Sequence, residues 1–266
     1  MGLDANCHRL IPSVGVRASR TRHGLGVLVV AFGLCLIPSG LPAKAGAVTP
    51  AAASRVSTHL ALLSAIPIDK NSVTAGYVSE EKNISSVSTT FEVPVIANCT
   101  ATSNAGMGPV VILLGPKYFV GAGAEAECQN GTTTYMVAIN HNGSESHPLT
   151  VAAKDQISVT VTVGRSVVGV YIDDMTSKKK VAQNVAKAKV TAAELGDDTL
   201  FQNGKEVPIP KFSDHKFVSA KINGKVLKVA EPLLDDVLVL HNTVLIEPSP
   251  ISASGASFTM KFVHAT

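Results

Sequence analysis

The chain has 266 residues, with 23 Lys and Arg against 20 Asp and Glu, and it contains no Trp. Five of the bases and one of the acids fall in residues 1–47, which leaves 18 basic and 19 acidic side chains in the rest. A nearly neutral body lacks the electrostatic footprint of a nucleic-acid binder, and its singly scattered His residues, without C-x-x-C or H-x-x-x-H spacing, predict neither a zinc site nor any other cofactor.

Arg9, Arg17, Arg20 and Arg22 precede an apolar run from Leu25 to Ile37, which is followed by Pro38 and small residues. That is the layout of a secretory signal peptide over residues 1–47, with cleavage after Ala45 or Ala47. The run is short for a bilayer-spanning helix, so the expected product is secreted, extracellular or in the cell envelope, with no stable membrane span once the signal is removed; an uncleaved anchor is the alternative. Residues 48–71 read as an Ala-rich linker or a propeptide remnant.

From residue 72 to 266 the pattern is one of short runs rich in Val, Ile, Thr and Phe. They are separated by turn signals at Asn130-Gly131, Asn142-Gly143, Asn203-Gly204 and Asn223-Gly224. Period-two alternation is clear over Ile157–Val163, Lys216–Ile222 and Ser257–Phe262, each with one apolar face. The expectation is an all-β, antiparallel two-sheet sandwich forming a single domain and a monomer. Lys178-Lys179-Lys180 reads as the cap of a solvated hairpin. Cys7 and Cys35 fall in the leader, and the remaining pair, Cys99 and Cys128, suggests one disulfide in an exported chain.

The richest segment is Phe119–Gly143, F-V-G-A-G-A-E-A-E-C-Q-N-G-T-T-T-Y-M-V-A-I-N-H-N-G. It reads as a strand ending at Cys128, a turn at Gln129-Asn130-Gly131, and a second strand from Thr132 to Asn140. The following N-G-S-E-S-H-P reads as a loop, in which Glu145 beside His147 is solvated surface.

This segment resembles the glutamic peptidases, the eqolisin family, which carry Q-x-G-T-E-A-D-C-S-G-G before the turn and Y-Y-A-W-Y-E after it. Gly123, Glu125, Glu127, Cys128, Gly131 and Tyr135 fall on matching or similar family residues. The resemblance continues in A-G-Y-V from Ala75, V-S-T-T-F-E-V-P from Val87, L-T-V-A-A-K-D-Q-I-S-V-T-V from Leu149 and P-I-P-K-F-S-D-H-K-F-V-S-A-K-I-N-G from Pro208. It implies a concanavalin A-like jelly roll, a strand rather than a helix after Ala182, and the Cys99–Cys128 disulfide.

In this alignment Gly121 falls where the family has its catalytic Gln, and Asn140 where it has its catalytic Glu. The family's W-V-G-I-D-G, which lines the groove, is matched by V-V-I-L-L-G, so Val110 replaces a Trp and Leu114 an Asp. A Gly cannot donate to a tetrahedral intermediate, and an Asn amide cannot take a proton from water. The resemblance thus implies a catalytically silent relative that binds peptide, protein or another extended ligand in a concave groove lined by Val110, Leu114, Glu125 and Asn140. One alternative is an active acid endopeptidase with a displaced dyad, working through Glu125 or Glu145. Another is a carbohydrate-binding or cell-envelope module, for which the lack of Trp leaves few stacking platforms.

Overall fold

A computed structural model describes residues 68–264 except 72, 188, 203 and 204. The signal sequence, nearly all of the Ala-rich segment and the Asn203-Gly204 turn lie outside the described residues. The first strands are β1 Ile68–Asn71, β2 Thr74–Ser79, β3 Ser86–Glu92, β4 Asn104–Gly115, β5 Tyr118–Gln129 and β6 Thr132–His141. Next come β7 Ser144–Thr150, β8 Gln156–Val163, β9 Val167–Asp174, β10 Lys179–Ala186, β11 Ala192–Thr199, β12 Phe201–Gln202 and β13 Lys205–Glu206. The last are β14 His215–Ile222, β15 Lys225–Val226, β16 Leu233–Leu240, β17 Thr243–Pro248 and β18 Phe258–Phe262. There is no α-helix among the described residues. The protein is an antiparallel β-sandwich, with β1 alone added in parallel, beside β16. That strand starts the fold four residues before the boundary drawn at residue 72.

Most strands follow one hydrogen-bonded path, β10-β9-β8-β3-β14-β18-β17-β16-β2-β11-β4-β5-β6-β7, with β15 paired to β14 beside it and β12 and β13 forming a separate hairpin. Its two halves pack face to face, with β4 and β5 against β8, β4 against β3, and β2 against β17. Period-two alternation puts Val87 and Phe91 of β3, Ile157, Val159 and Val161 of β8, and Val111 and Leu113 of β4 into the shared core, all buried. Aromatic rings fix its centre: Phe217 stacks on Phe258 at 4.7 Å, and Tyr77 meets Phe258 edge-on at 5.0 Å. Full burial of each such ring contributes about 2–3 kcal/mol.

The Asn-Gly signals do what their chemistry predicts. Asn130 and Gly131 turn with φ of 51° and 81°, Asn142 and Gly143 with 52° and 84°, and Asn223 and Gly224 with 53° and 75°. Two successive positive φ values are the mark of tight hairpin turns that match strand twist. The second turn corrects the reading of N-G-S-E-S-H-P as a loop, because Ser144–Thr150 is strand β7, paired with β6. Its polar composition hid it: an edge strand needs no apolar alternation when one side of its ladder faces solvent. The segment after Ala182 is strand, as expected, and Lys178 turns the β9–β10 hairpin with φ of 64°.

Cys99 and Cys128 form a disulfide with a Cα–Cα distance of 5.6 Å. It ties the loop after β3 to the end of β5, the strand that carries Gly121 and Glu125.

Candidate functional site

Five adjacent strands, β11-β4-β5-β6-β7, carry the residues of interest on the face turned away from the core. Register defines a transverse row across them: Glu194 pairs with Ile112, Ile112 with Gly121, Gly121 with Asn140, and Asn140 with Glu145. The next row contains Gly196, Val110, Gly123 and Ala138. Glu125 stands one row further along, opposite Met136. All the sequence-predicted groove residues, Val110, Leu114, Gly121, Glu125 and Asn140, therefore share one face, with Leu114 at its far end opposite Phe119.

Glu145 and His147 were expected at the surface of a loop, and the structure instead brings them to Glu125. His147 Nε2 lies 2.8 Å from Glu125 Oε2 and 3.0 Å from Glu145 Oε1. A bulge explains the reach. Val137 pairs with Leu149 and Ile139 with Ser146, so Ala138 alone faces both His147 and Pro148. One extra residue bends the edge strand and re-aims its side chains, and a Pro, which lacks an N–H, is tolerated there.

Asn140 joins this cluster through both atoms of its amide. Its Nδ2 donates to Glu145 Oε2 at 3.3 Å, and its Oδ1 accepts the Gly143 N–H at 3.0 Å. The amide thus locks the hairpin turn and orients Glu145. Glu125 is only 11% exposed as a side chain, against 29% for Glu145 and 36% for His147. Burial, then repulsion from Glu145, pushes the Glu125 carboxyl up to about 7, against the opposing hydrogen bond from His147. Such a group can give or take a proton close to neutrality.

Gly121 sits between the two carboxylates of its row. A Cβ there would lie 3.5 Å from Ile112 Cγ1, an ordinary contact, so a side chain has room. Gly123 differs, since a Cβ would fall 2.0 Å from the Pro109 carbonyl oxygen. It is Gly because two backbones approach there.

Glu194 was missed by sequence reasoning, which looked for substitutes only near Phe119–Gly143. It is buried, and it stands two strands from Gly121, roughly 10 Å at about 4.8 Å per strand. The signal was present in A-A-E-L-G-D-D: with Ala193 and Leu195 buried in the core, alternation turns Glu194 to the opposite face. On the core side of the same strand Asp197 meets His215, Oδ1 to Nε2, at 2.8 Å with both side chains wholly buried. Burial opposes charge on His215, but the field and hydrogen bond of Asp197 outweigh it and hold the imidazolium above its ordinary range.

The site is thus an antiparallel sandwich with several carboxylates on the outer face of one layer. Similarity to known proteins narrows this. The profile of the peptidase A4 family matches residues 72–246, more than half of the chain, and the chain belongs to that family. No curated protein sequence matches it.

Among solved structures, the chain is similar to scytalido-glutamic peptidase with a transition-state analogue inhibitor, at 18% identity, covering 73% of this chain and 99% of that one, with a TM-score of 0.61. It is also similar to SCP-B, a member of the eqolisin family in complex with the tripeptide Ala-Ile-His, at 18% identity, 73% and 99% coverage and a TM-score of 0.58. A third is aspergilloglutamic peptidase from Aspergillus niger, at 18% identity, 60% and 99% coverage and a TM-score of 0.51. At these identities the structures establish the shared fold.

Proposed function

We propose that this is a secreted peptidase-family protein that binds an extended peptide along the outer face of β11-β4-β5-β6-β7 and lacks the family's dyad chemistry. The observation that carries the reading is Gly121. It occupies the centre of the row that runs from Glu194 to Glu145, and no amide projects from it. The amide that does stand in this row, on Asn140, donates to Glu145 and accepts the Gly143 N–H. Loss of one oxyanion donor costs about 10²–10³-fold in turnover. Val110 and Ile112 leave an aliphatic floor on which an extended chain can lie, with carboxylates at either end to meet its polar groups. The test is binding of a library of unstructured peptides to the full chain. Loss of binding on Val110→Asp supports the reading, and unchanged binding overturns it.

A second reading has its own observation. Glu125 titrates near neutrality, and Glu194 places another carboxyl on the same face, so an active acid endopeptidase could run through either group. Cleavage of a denatured protein that Glu125→Gln or Glu194→Gln abolishes would establish this alternative.

A further inference from the structure

We propose that Glu125, Glu145 and His147 form a binding site for a single divalent cation of the Zn2+ class, an inference independent of whether the neighbouring face binds peptide.

One ring nitrogen, His147 Nε2, faces two carboxylate oxygens at 2.8 and 3.0 Å. It can carry only one hydrogen, so it can donate to only one of the two carboxylates at a time and leaves the other without a partner on the ring, with Glu125 largely buried and Glu145 partly exposed. A divalent cation removes that deficit and lets the ring nitrogen act as a lone-pair donor instead.

Geometry supports the exchange. The three donor atoms, one from each residue, all lie within 4.8 Å of one another. Ligands about 2.0–2.1 Å from a tetrahedral ion stand roughly 3.3–3.5 Å apart, so the two short contacts open by about half an ångström while the Glu125 and Glu145 oxygens, within 4.8 Å, settle to the same spacing. His147 and Glu145 sit on an edge strand beside a bulge, where such a shift is cheap, while Glu125 is anchored in a central strand. Imidazole with two carboxylates suits Zn2+ in preference to Ca2+ or Mg2+, which take oxygen ligands in larger number. Three protein ligands leave a fourth position open.

The surroundings match a metal site rather than an accidental contact. Asn140 Nδ2 holds the second oxygen of Glu145, Oε2, at 3.3 Å, leaving Oε1 toward His147. That is the outer-shell orientation a ligating carboxylate needs. Opposite the bulge stands Ala138, whose side chain ends at its Cβ. Sequence spacing gave no sign of this site, because one ligand comes from β5 and two from β7, and only the β7 bulge brings them together.

The experiment is calorimetric titration of the full chain with zinc chloride alone, alongside calcium chloride, with thermal melting as a second readout. The expected result is one Zn2+ per chain, a raised melting temperature and no comparable response to Ca2+. His147→Gln and Glu145→Gln, both at partly exposed positions, should weaken Zn2+ binding by more than about 100-fold, and Asn140→Ala by about tenfold. His241→Gln, at an exposed turn, should leave it unchanged. Absence of binding at neutral pH overturns the proposal, as does Zn2+ binding that His147→Gln and Glu145→Gln leave intact. Co2+ loaded in place of Zn2+ should give the intense visible absorption of a tetrahedral site in the wild type, and loss of that band in His147→Gln separates loss of the site from loss of fold.

Discussion

His147 presents its Nε2 2.8 Å from the Oε2 of Glu125, although the two residues stand 22 positions apart in the chain. The contact spans β6 without using it, because the bulge in β7 carries the imidazole over Ala138. A buried carboxyl, a second carboxylate and an imidazole thus share one point on the face where the family match and the fold both direct attention.

The raised Glu125 carboxyl makes a prediction about pH. Its ordinary value is 4.5 and in the fold it is pushed up to about 7, so between those values the native state holds a proton the unfolded chain has released. Stability is then fully present below about pH 4.5 and declines as pH rises through 7, by on the order of 3 kcal/mol from this group. Asp235, pushed up to about 6 by burial and by Asp236 and Glu247, acts in the same direction. The chain should melt at a higher temperature at pH 5 than at pH 8, and Glu125→Gln should flatten the slope between them. An unchanged slope in that variant contradicts the assignment.

The Asp197–His215 pair tests the core beneath the site. Removing one partner leaves an uncompensated charge in a wholly buried position, so Asp197→Asn should destabilise by about 3–5 kcal/mol in urea unfolding. Because Asp197 holds the His215 pKa above its ordinary value, the pair's contribution is complete below about 6.5 and is lost as pH rises through the folded value. The variant should lose stability most in acid.

Two glycines two residues apart should respond in opposite ways. Gly123→Ala forces a Cβ to within 2.0 Å of the Pro109 carbonyl oxygen and should unfold the chain or lower its melting point sharply. Gly121→Ala finds its nearest neighbour at 3.5 Å and should leave the melting point nearly unchanged or slightly raised. Circular dichroism melts of the two proteins decide the matter.

The disulfide closes a loop with a sequence separation of 29. In the chain-entropy account, a loop of that size is worth about 3–4 kcal/mol, so Cys99→Ser with Cys128→Ser should reduce unfolding stability by about that amount. A double variant as stable as the parent counts against a structural role for the bridge.

These residues also show what could be read from the chain alone. Strand alternation and the Asn-Gly turns were plain, because period two and a need for positive φ leave direct marks on residue choice. The Cys99–Cys128 link was legible from count and from family resemblance. β7 was hidden, since an edge strand of Ser, Glu and His has no apolar stripe, and with it went the meaning of His147. Glu194 was legible in its own alternation but not in its neighbourhood: it shares a row with Gly121 only through sheet order, which places β11 beside β4 although nearly 80 residues separate them. Register across non-consecutive strands is a long-range property that no local window encodes.

The most direct test of the proposed silence is cleavage of a denatured protein by the full chain between about pH 2 and 7, measured beside Gly121→Gln. The proposed silence means no cleavage above background by the wild type at any pH. Wild-type cleavage that disappears in Glu194→Gln or Glu125→Gln would contradict it.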